Sequence, residues 1–329
     1  MSSFAPLLER FFTQRLMQQR QVSTHTISSY RDSFCQLLVF TQQKLQKSPS
    51  RLALEDVDAP LIVAFLNDLE KCRGISVRSR NLRLTAIRSF FNFAAFEAPT
   101  HSAQIQRVLA IPSKRHPRTQ IRFLIRSEVN ALLAAPDQHT WFGRRNHLFI
   151  LMAVQTGLRV SEMTSLKRQD LILGIGAHVR VVGKGRKERC TPLAKPTVAV
   201  LKAWLREPQK GDGQWLFPNA MGERLTVHGV QYFLGKYCVT ASKVCPSLKK
   251  KRVTVHVLRH TMAMDLLQAG VDRSVIALWL GHESVETTQI YLEATLAMKE
   301  QALARTMPHE SKAYRYRPGD QLLGFLKNL

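Results

Sequence analysis

The sequence predicts a mostly α-helical chain of two domains, with a small antiparallel β-sheet in the second. Three observations lead there. Apolar residues recur at helical spacing throughout residues 1–112, with almost no strand-like alternation. A proline-broken basic stretch then interrupts the pattern over residues 113–124. Beyond it, two β-like runs flank Gly183-Lys184-Gly185 while most of the remaining chain returns to helical periods. With 329 residues the chain is long enough for two cores, and 45% apolar content is ordinary for a folded protein.

In the first domain Pro6–Gln19 reads as a helix carrying Leu7, Leu8, Phe11, Phe12 and Leu16. Val22-Ser23-Thr24 offers capping hydroxyls to a second, Thr24–Gln42, with Ile27, Tyr30, Phe34, Leu37, Leu38 and Phe40. Ala59–Lys71 is a third, with Asp58 as its cap, Pro60 in its first turn and Gly74 beyond its end. The fourth, Ser76–Phe96, carries Leu82, Leu84, Ile87, Phe90, Phe91 and Phe93 as its expected core stripe. Arg78, Arg80, Arg83 and Arg88 are expected on its other faces. Such arginines can be merely solvated, but four of them with almost no intervening acid suggest a face that follows a phosphate backbone.

Residues 113–124 form a basic linker, with Lys114, Arg115 and Arg118 placed to run along a duplex. In the second domain, 125–308, Ser127 is expected to cap a short helix stopped by Pro136. Arg145–Gln155 reads as a buried helix closed by Gly157, a residue that accepts a left-handed cap. Arg159 follows at the start of the next helix, where unpaired amides would add to its pull on an anion. Ala177–Leu193 reads as a hairpin or three-stranded corner whose turn projects Lys184, with Arg186, Lys187 and Arg189 behind it. The turn lacks the GxxxxGK[ST] spacing of a nucleotide loop. Thr197–Leu205 and Thr226–Tyr237 are expected helices, either side of a short buried strand and turn at Gln214–Pro218. Lys249, Lys250, Lys251 and Arg252 then lead into Val253–Glu293. After that segment, Ala294–Met307 has helical spacing, and the tail 309–329 holds a basic patch and an apolar Leu322, Leu323, Phe325, Leu326 group.

Charge narrows the function. Lys+Arg number 48 against 24 Asp+Glu, a net +24. Residues 1–112 hold 14 against 8, leaving 34 against 16 for 113–329, so both domains are basic. An excess this large repels itself unless an anionic partner neutralises it, which points to nucleic acid. Five cysteines with no CxxC pair argue against a disulfide framework or a zinc site and fit a reducing cytoplasm. No signal peptide and no membrane span are expected: the longest clean apolar run, Leu148–Val154, is far too short.

Val253–Glu293 contains His256, Arg259, His282 and Tyr291. His256 and Arg259, three apart, share one face of a helix. A tyrosine near two histidines and an arginine suggests a phenolic nucleophile directed at a phosphate. Two arginines, Arg159 and Arg259, could clamp the non-bridging oxygens in bidentate fashion and stabilise the charge that builds there without a metal. The phenol needs a positive field or a base, and His256 is placed to help. Lys184 could protonate the leaving oxygen, and His282 could hold a phosphate oxygen or position the tyrosine. No carboxylate cluster of metal-binding type accompanies the set, so neither metal nor cofactor is expected.

These pieces, TGLRVSEMTSL, the GKG turn, HVLRHTMAMDLLQAG and LGHESVETTQIYL, resemble the tyrosine recombinase (phage integrase) family over residues 125–295. The first domain is similar in pattern to that family's helical core-binding domain. The resemblance implies Arg159 and Arg259 as paired catalytic arginines, Lys184 as the hairpin lysine, His256 and His282 as the active-site histidines and Tyr291 as nucleophile. It implies a C-shaped two-domain DNA clamp, a covalent 3′-phosphotyrosyl intermediate, and a homotetramer or mixed assembly that exchanges strands. The expected activity is site-specific recombination for a bacterial mobile element, acting in the cytoplasm at the nucleoid. Two other readings share the fold: a catalytically silent DNA-binding protein, and a nicking-closing or telomere-resolving enzyme. The segment after Tyr291 favours strand exchange, because its helix and tail would dock on a neighbouring protomer.

Overall fold

A computed structural model describes residues 3–117, 122–183, 188–208 and 210–281. The chain divides into two compact units, Met1–Thr119 and Gln120–Leu329. Lys184, Arg186, Lys187, Arg118, His282, Tyr291, the Ala294–Met307 segment and the 309–329 tail lie outside the described residues.

The first unit is helical. Helix α1, Phe4–Arg10, runs directly into a π-helical stretch, Phe11–Gln19. The expected helix therefore starts two residues early, where the Phe4 amide donates to the Leu52 carbonyl at 3.0 Å. The wider winding puts residues five apart on one face, and Phe11 and Leu16 are both buried. Helix α2 spans Thr24–Leu45, with the Ser23 hydroxyl accepting from the Thr26 amide at 3.3 Å. Helix α3 spans Ala59–Lys71, and Asp58 accepts from the Leu61 amide at 2.9 Å. Helix α4 is Val77–Glu97, capped by Ser76, and α5 is Ser102–Leu109. Phe11, Phe34 and Phe90 meet edge to face, with ring centroids 5.5 to 6.3 Å apart. Around them Leu37, Phe65, Leu66, Leu84 and Phe91 complete one core.

Helix α4 corrects the expected faces. Its buried row is Arg80, Leu84, Ile87 and Phe91, joined by Phe90 and Ala94. Positions 80, 84, 87 and 91 repeat at helical period, so Arg80 lies on the core stripe. Leu82 lies two residues from Leu84, about 200° round the helix, and is 58% exposed beside exposed Arg78. Arg80 and its neighbours instead secure the chain that follows α5. Arg80 Nη1 donates to the Asn81 carboxamide at 3.2 Å and to the Pro112 carbonyl at 3.4 Å. Arg88 donates to the Ile111 carbonyl. Asn81 makes two bonds to the Lys114 backbone, donating at 2.8 Å and accepting at 3.1 Å. Residues 111–114, the last two of them expected to begin the linker, are thus fastened to the first unit.

In the second unit, α6 is Arg126–Ala134. It starts one residue before the expected cap: Ser127 lies inside its first turn, and the Glu128 carboxylate accepts from the Ile125 amide at 2.9 Å. Helix α7, Trp141–Thr156, is capped by Thr140 and closed by Gly157 at φ +63°. Helix α8 is Val160–Ser165. Strands β1 (Leu171–Ile172), β2 (His178–Val182) and β3 (Glu188–Pro192) form an antiparallel sheet in that order. Val182 pairs with Glu188, so β2 and β3 flank the lysine-bearing turn as expected.

Helix α9 spans Lys195–Leu205 and α10 spans Val227–Val244, seven residues beyond the expected end. Gln214–Pro218 is buried at Leu216, Phe217 and Pro218 but makes two isolated bridges, Lys167 to Trp215 and Pro218 to Arg224, and no strand. Helices α11 (Val255–Gln268) and α12 (Arg273–Leu280) complete the described unit. Phe149, at the centre of α7, meets Phe217 at 5.0 Å and Phe233 of α10 at 5.4 Å. No described helix is long and apolar enough to cross a membrane.

Candidate active site

Two glycine turns bring the site together. Gly157 ends α7 in the left-handed region, and a Cβ there would come within 2.7 Å of Leu280. The turn carries the chain through buried Leu158 to Arg159, the residue that precedes α8. Gly281 ends α12 at φ +63°. Arg159 Nη2 donates to the Gly281 carbonyl at 3.0 Å. Arg259, buried on α11, donates from Nη1 to the Gly157 carbonyl and from Nη2 to the Leu280 carbonyl, both at 2.6 Å. Trp279 Nε1 donates to the Thr156 carbonyl at 3.2 Å, which fixes α12 against the end of α7.

Thr254 caps α11 by accepting from the Val257 amide at 3.2 Å, so His256 stands in the first turn and Arg259 one turn below it. His256 is exposed; its ring meets that of His260 edge to face, with centroids 4.2 Å apart. Arg159, His256 and Arg259 line one open cavity of about 410 Å³, with Gln231 of α10 and Thr254 on its wall. Two guanidinium groups and an imidazole around such a space suit a tetrahedral oxyanion. Among the described residues no three His, Cys, Asp or Glu side chains gather as a metal cage would require.

Sequence reasoning missed Glu162 and the role of Arg189. The Glu162 carboxylate is buried and accepts four bonds. Two come from Arg159, its amide at 2.7 Å and Nη1 at 3.0 Å. Two come from Arg189 of β3, Nη1 at 3.0 Å and Nη2 at 2.7 Å. Burial alone would push the Glu162 carboxyl up; the Arg189 bonds, the Arg159 amide and both guanidinium charges outweigh it and hold the group below the usual carboxylate range. The amide expected to attract an anion at the start of α8 is therefore already engaged. Two signals in the sequence pointed here: the three-residue spacing from Arg159 to Glu162, and the alternation that puts Arg189 and Thr191 on the inward face of β3.

The remaining basic candidates separate by exposure. Arg78, Lys114, Arg115, Lys249, Lys250 and Arg252 are exposed. Arg83 is half-buried, bonded to Gln36 and to the Ser79 carbonyl, and Arg88 is held at Ile111. Arg80 is buried, which removes it from the set that can reach a duplex. Lys251 is likewise a structural cation. It donates to Glu128 at 2.7 Å and to the Phe123 carbonyl at 3.0 Å, while Ser247 donates to the other Glu128 oxygen at 2.6 Å.

The description "Phage integrase family" fits residues 122–298, and "Phage integrase, N-terminal SAM-like domain" fits residues 8–98. The chain belongs to the phage integrase family. It is 72% identical to the integrase/recombinase y4rC of Sinorhizobium fredii, over 100% of this chain and 99% of the relative. It is 30% identical to the tyrosine recombinase XerC of Chlamydia trachomatis, over 91% and 96%. Among solved structures, the XerH site-specific recombinase bound to palindromic difH substrate covers 87% of this chain with 81% of its own, at 23% identity and a TM-score of 0.68. The Tn1549 transposon integrase with circular intermediate DNA follows at 93%, 100%, 17% and 0.65. These two share the fold. This phage integrase family chain is a site-specific recombinase of the tyrosine type.

Proposed function

We propose that the chain cleaves and rejoins DNA strands through a covalent 3′-phosphotyrosyl intermediate on Tyr291. The observation that carries this reading is the convergence of Arg159, His256 and Arg259 on one open cavity. In the proposed reaction the Tyr291 oxygen attacks the scissile phosphorus and the 5′ oxygen leaves. Arg159 and Arg259 hold the two non-bridging oxygens as negative charge gathers on them. His256 takes the phenolic proton or shares it by hydrogen bond, Lys184 protonates the leaving oxygen, and His282 supports the phosphate or the phenol. The 5′ hydroxyl of a partner strand then reverses the step, and the phosphotyrosine has conserved the bond. No metal or nucleotide is needed to balance it.

The substrate is double-stranded DNA, held by the exposed residues Arg78, Lys114, Arg115, Lys249, Lys250 and Arg252 together with Arg118, Arg186 and Lys187. Residues 1–112 form the core-binding domain, 113–124 the linker, 125–308 the catalytic domain and 309–329 a docking tail. The working assembly is a tetramer of this chain, or a mixed one with a related recombinase, in the bacterial cytoplasm at the nucleoid. The similarity to integrases and to XerC supports this setting.

The test is covalent capture. Nicked duplexes with a randomised core, incubated with the protein, should yield a protein–DNA adduct at neutral pH in chelator. Tyr291→Phe should abolish the adduct while the duplex recovered from the pool stays bound. Absence of any adduct from the unmodified chain would sink the reading.

A further inference from the structure

Resting on that reading, we propose that Arg189 is a positioning residue of the strand-cleavage site: through Glu162 it orients the Arg159 guanidinium, beside the Gly281 end of α12, where there is no room for a side chain.

The geometry supporting this is specific. Arg189 sits on β3, opposite Val181 of β2, and so belongs to the hairpin whose turn carries Lys184. Its two terminal nitrogens grip both Glu162 oxygens, a fork-to-fork pair with little rotational freedom. Glu162 spends its remaining acceptor capacity on Arg159, at the backbone and at Nη1. The other terminal nitrogen of Arg159 then reaches the Gly281 carbonyl. The loop closes sterically, because a Cβ on Gly281 would lie 3.0 Å from Arg189 Nη1 and 3.2 Å from its Cδ and Cζ. One side chain on β3 therefore holds Glu162 in the first turn of α8 and fills the space that a side chain at Gly281, the end of α12, would need.

Net charge explains why an arginine is used. Glu162 alone beside Arg159 would cancel the charge that a phosphate needs. A second guanidinium on the same carboxylate restores one positive charge to the group while leaving the orientation of Arg159 fixed. The side chains of Glu162 and Arg189 are only 6% and 11% exposed, so water cannot replace either partner at low cost.

The test is single-turnover cleavage of the nicked duplex recovered by covalent capture with the unmodified chain. Arg189→Gln should cut about 100-fold more slowly, the scale expected when a reacting group is misplaced by a fraction of an ångström. It should still bind the duplex. Its cleavage should also acquire a new acid limb. Without Arg189, the burial that raises the Glu162 carboxyl is opposed only by the Arg159 amide and charge, so the carboxyl sits higher than in the unmodified chain and its protonation on the acid side loosens Arg159. A duplex with a charge-neutral methylphosphonate at the scissile position should narrow the gap between variant and unmodified chain, since it asks less of a clamp. A folded Arg189→Gln with the rate and pH profile of the unmodified chain overturns the proposal. If Arg189→Gln melts below the assay temperature, Arg189→Lys is read instead: slowed cleavage with the same limb supports the proposal, and unchanged cleavage overturns it. An unmodified chain that forms no adduct defeats the underlying cleavage mechanism, whereas an active chain with an indifferent Arg189 variant defeats only this inference.

Discussion

Arg159 and Arg259 donate to adjacent carbonyls of one helix end, Gly281 at 3.0 Å and Leu280 at 2.6 Å. Backbone carbonyls aim a guanidinium without cancelling its charge, unlike a carboxylate. The carboxyl end of α12 thus sets the spacing of the proposed phosphate clamp. Arg259→Lys keeps the charge but cannot span Gly157 and Leu280 together. Cleavage should fall by roughly 10²- to 10³-fold, as when one oxyanion donor is lost, while duplex affinity changes little. Equal cleavage by Arg259→Lys in a single-turnover assay would remove Arg259 from the clamp.

Gly281→Ala should be disproportionately harmful to cleavage. The left-handed backbone alone costs about 1–2 kcal/mol for a residue with a Cβ, and the new methyl would press on the Arg189 guanidinium. Urea unfolding should report a loss of that modest size, and adduct formation should drop well beyond it. A variant whose cleavage tracks its stability alone would show that the contact with Arg189 has no bearing on the site.

Acid should weaken the second unit through two carboxylates. Glu128 and Glu162 are both buried, which raises them, and both end up below the ordinary value of 4.5 because of Lys251 and Ser247 in one case and Arg189 in the other. A depressed folded value means that the stabilisation is present above the unfolded value and is lost as pH falls through the folded one. Glu162→Gln should therefore be less stable than the unmodified chain at pH 7, and that gap should close below about pH 4.5. A gap that is constant down to pH 3 would contradict the assignment.

Lys249 and Lys251, two residues apart, should behave oppositely. Lys249→Ala should leave the melting point alone and reduce the salt slope of duplex binding by about one. Lys251→Ala strands the Glu128 carboxylate and should cost about 2–3 kcal/mol, below the figure for a fully buried pair because Lys251 is partly exposed. Melting curves and a salt titration on both variants decide it.

On α4, Leu84→Ala should cost about 2–5 kcal/mol as a core truncation, whereas Leu82→Ser should be close to neutral. Arg80→Ala should destabilise the first unit without changing the salt slope, since its guanidinium is spent on Asn81 and Pro112. A changed salt slope for a stably folded Arg80→Ala would return that residue to the DNA-facing set.

Helical period and capping chemistry made most of the fold legible. Ala59–Lys71 has the bounds that Asp58 and Pro60 announce, and Gly157 closes α7 in the conformation its residue type allows. Arg159, His256 and Arg259 converge on one cavity although 100 residues separate the first from the last. What escaped was long-range pairing of charge. Nothing near Arg80 in sequence says that the 111–114 backbone will cover it, and nothing near Lys251 says that Glu128 will lie beside it. The partnership of Glu162 with Arg189 spans 27 residues and a strand crossing. Composition records basic residues as surface until a fold gives each of them a partner. The period of α4, counted residue by residue, would have moved Leu82 off the core stripe and Arg80 onto it.

Near the start of the second unit, the backbone of Phe123 and Leu124 is held by two side chains from later in the chain. Thr261 of α11 accepts from the Leu124 amide at 2.9 Å, and Lys251 donates to the Phe123 carbonyl at 3.0 Å. Thr261 belongs to the same helix, α11, that carries His256 and Arg259. The backbone at the start of the second unit is therefore pinned to the helix that presents His256 and Arg259 to the cavity.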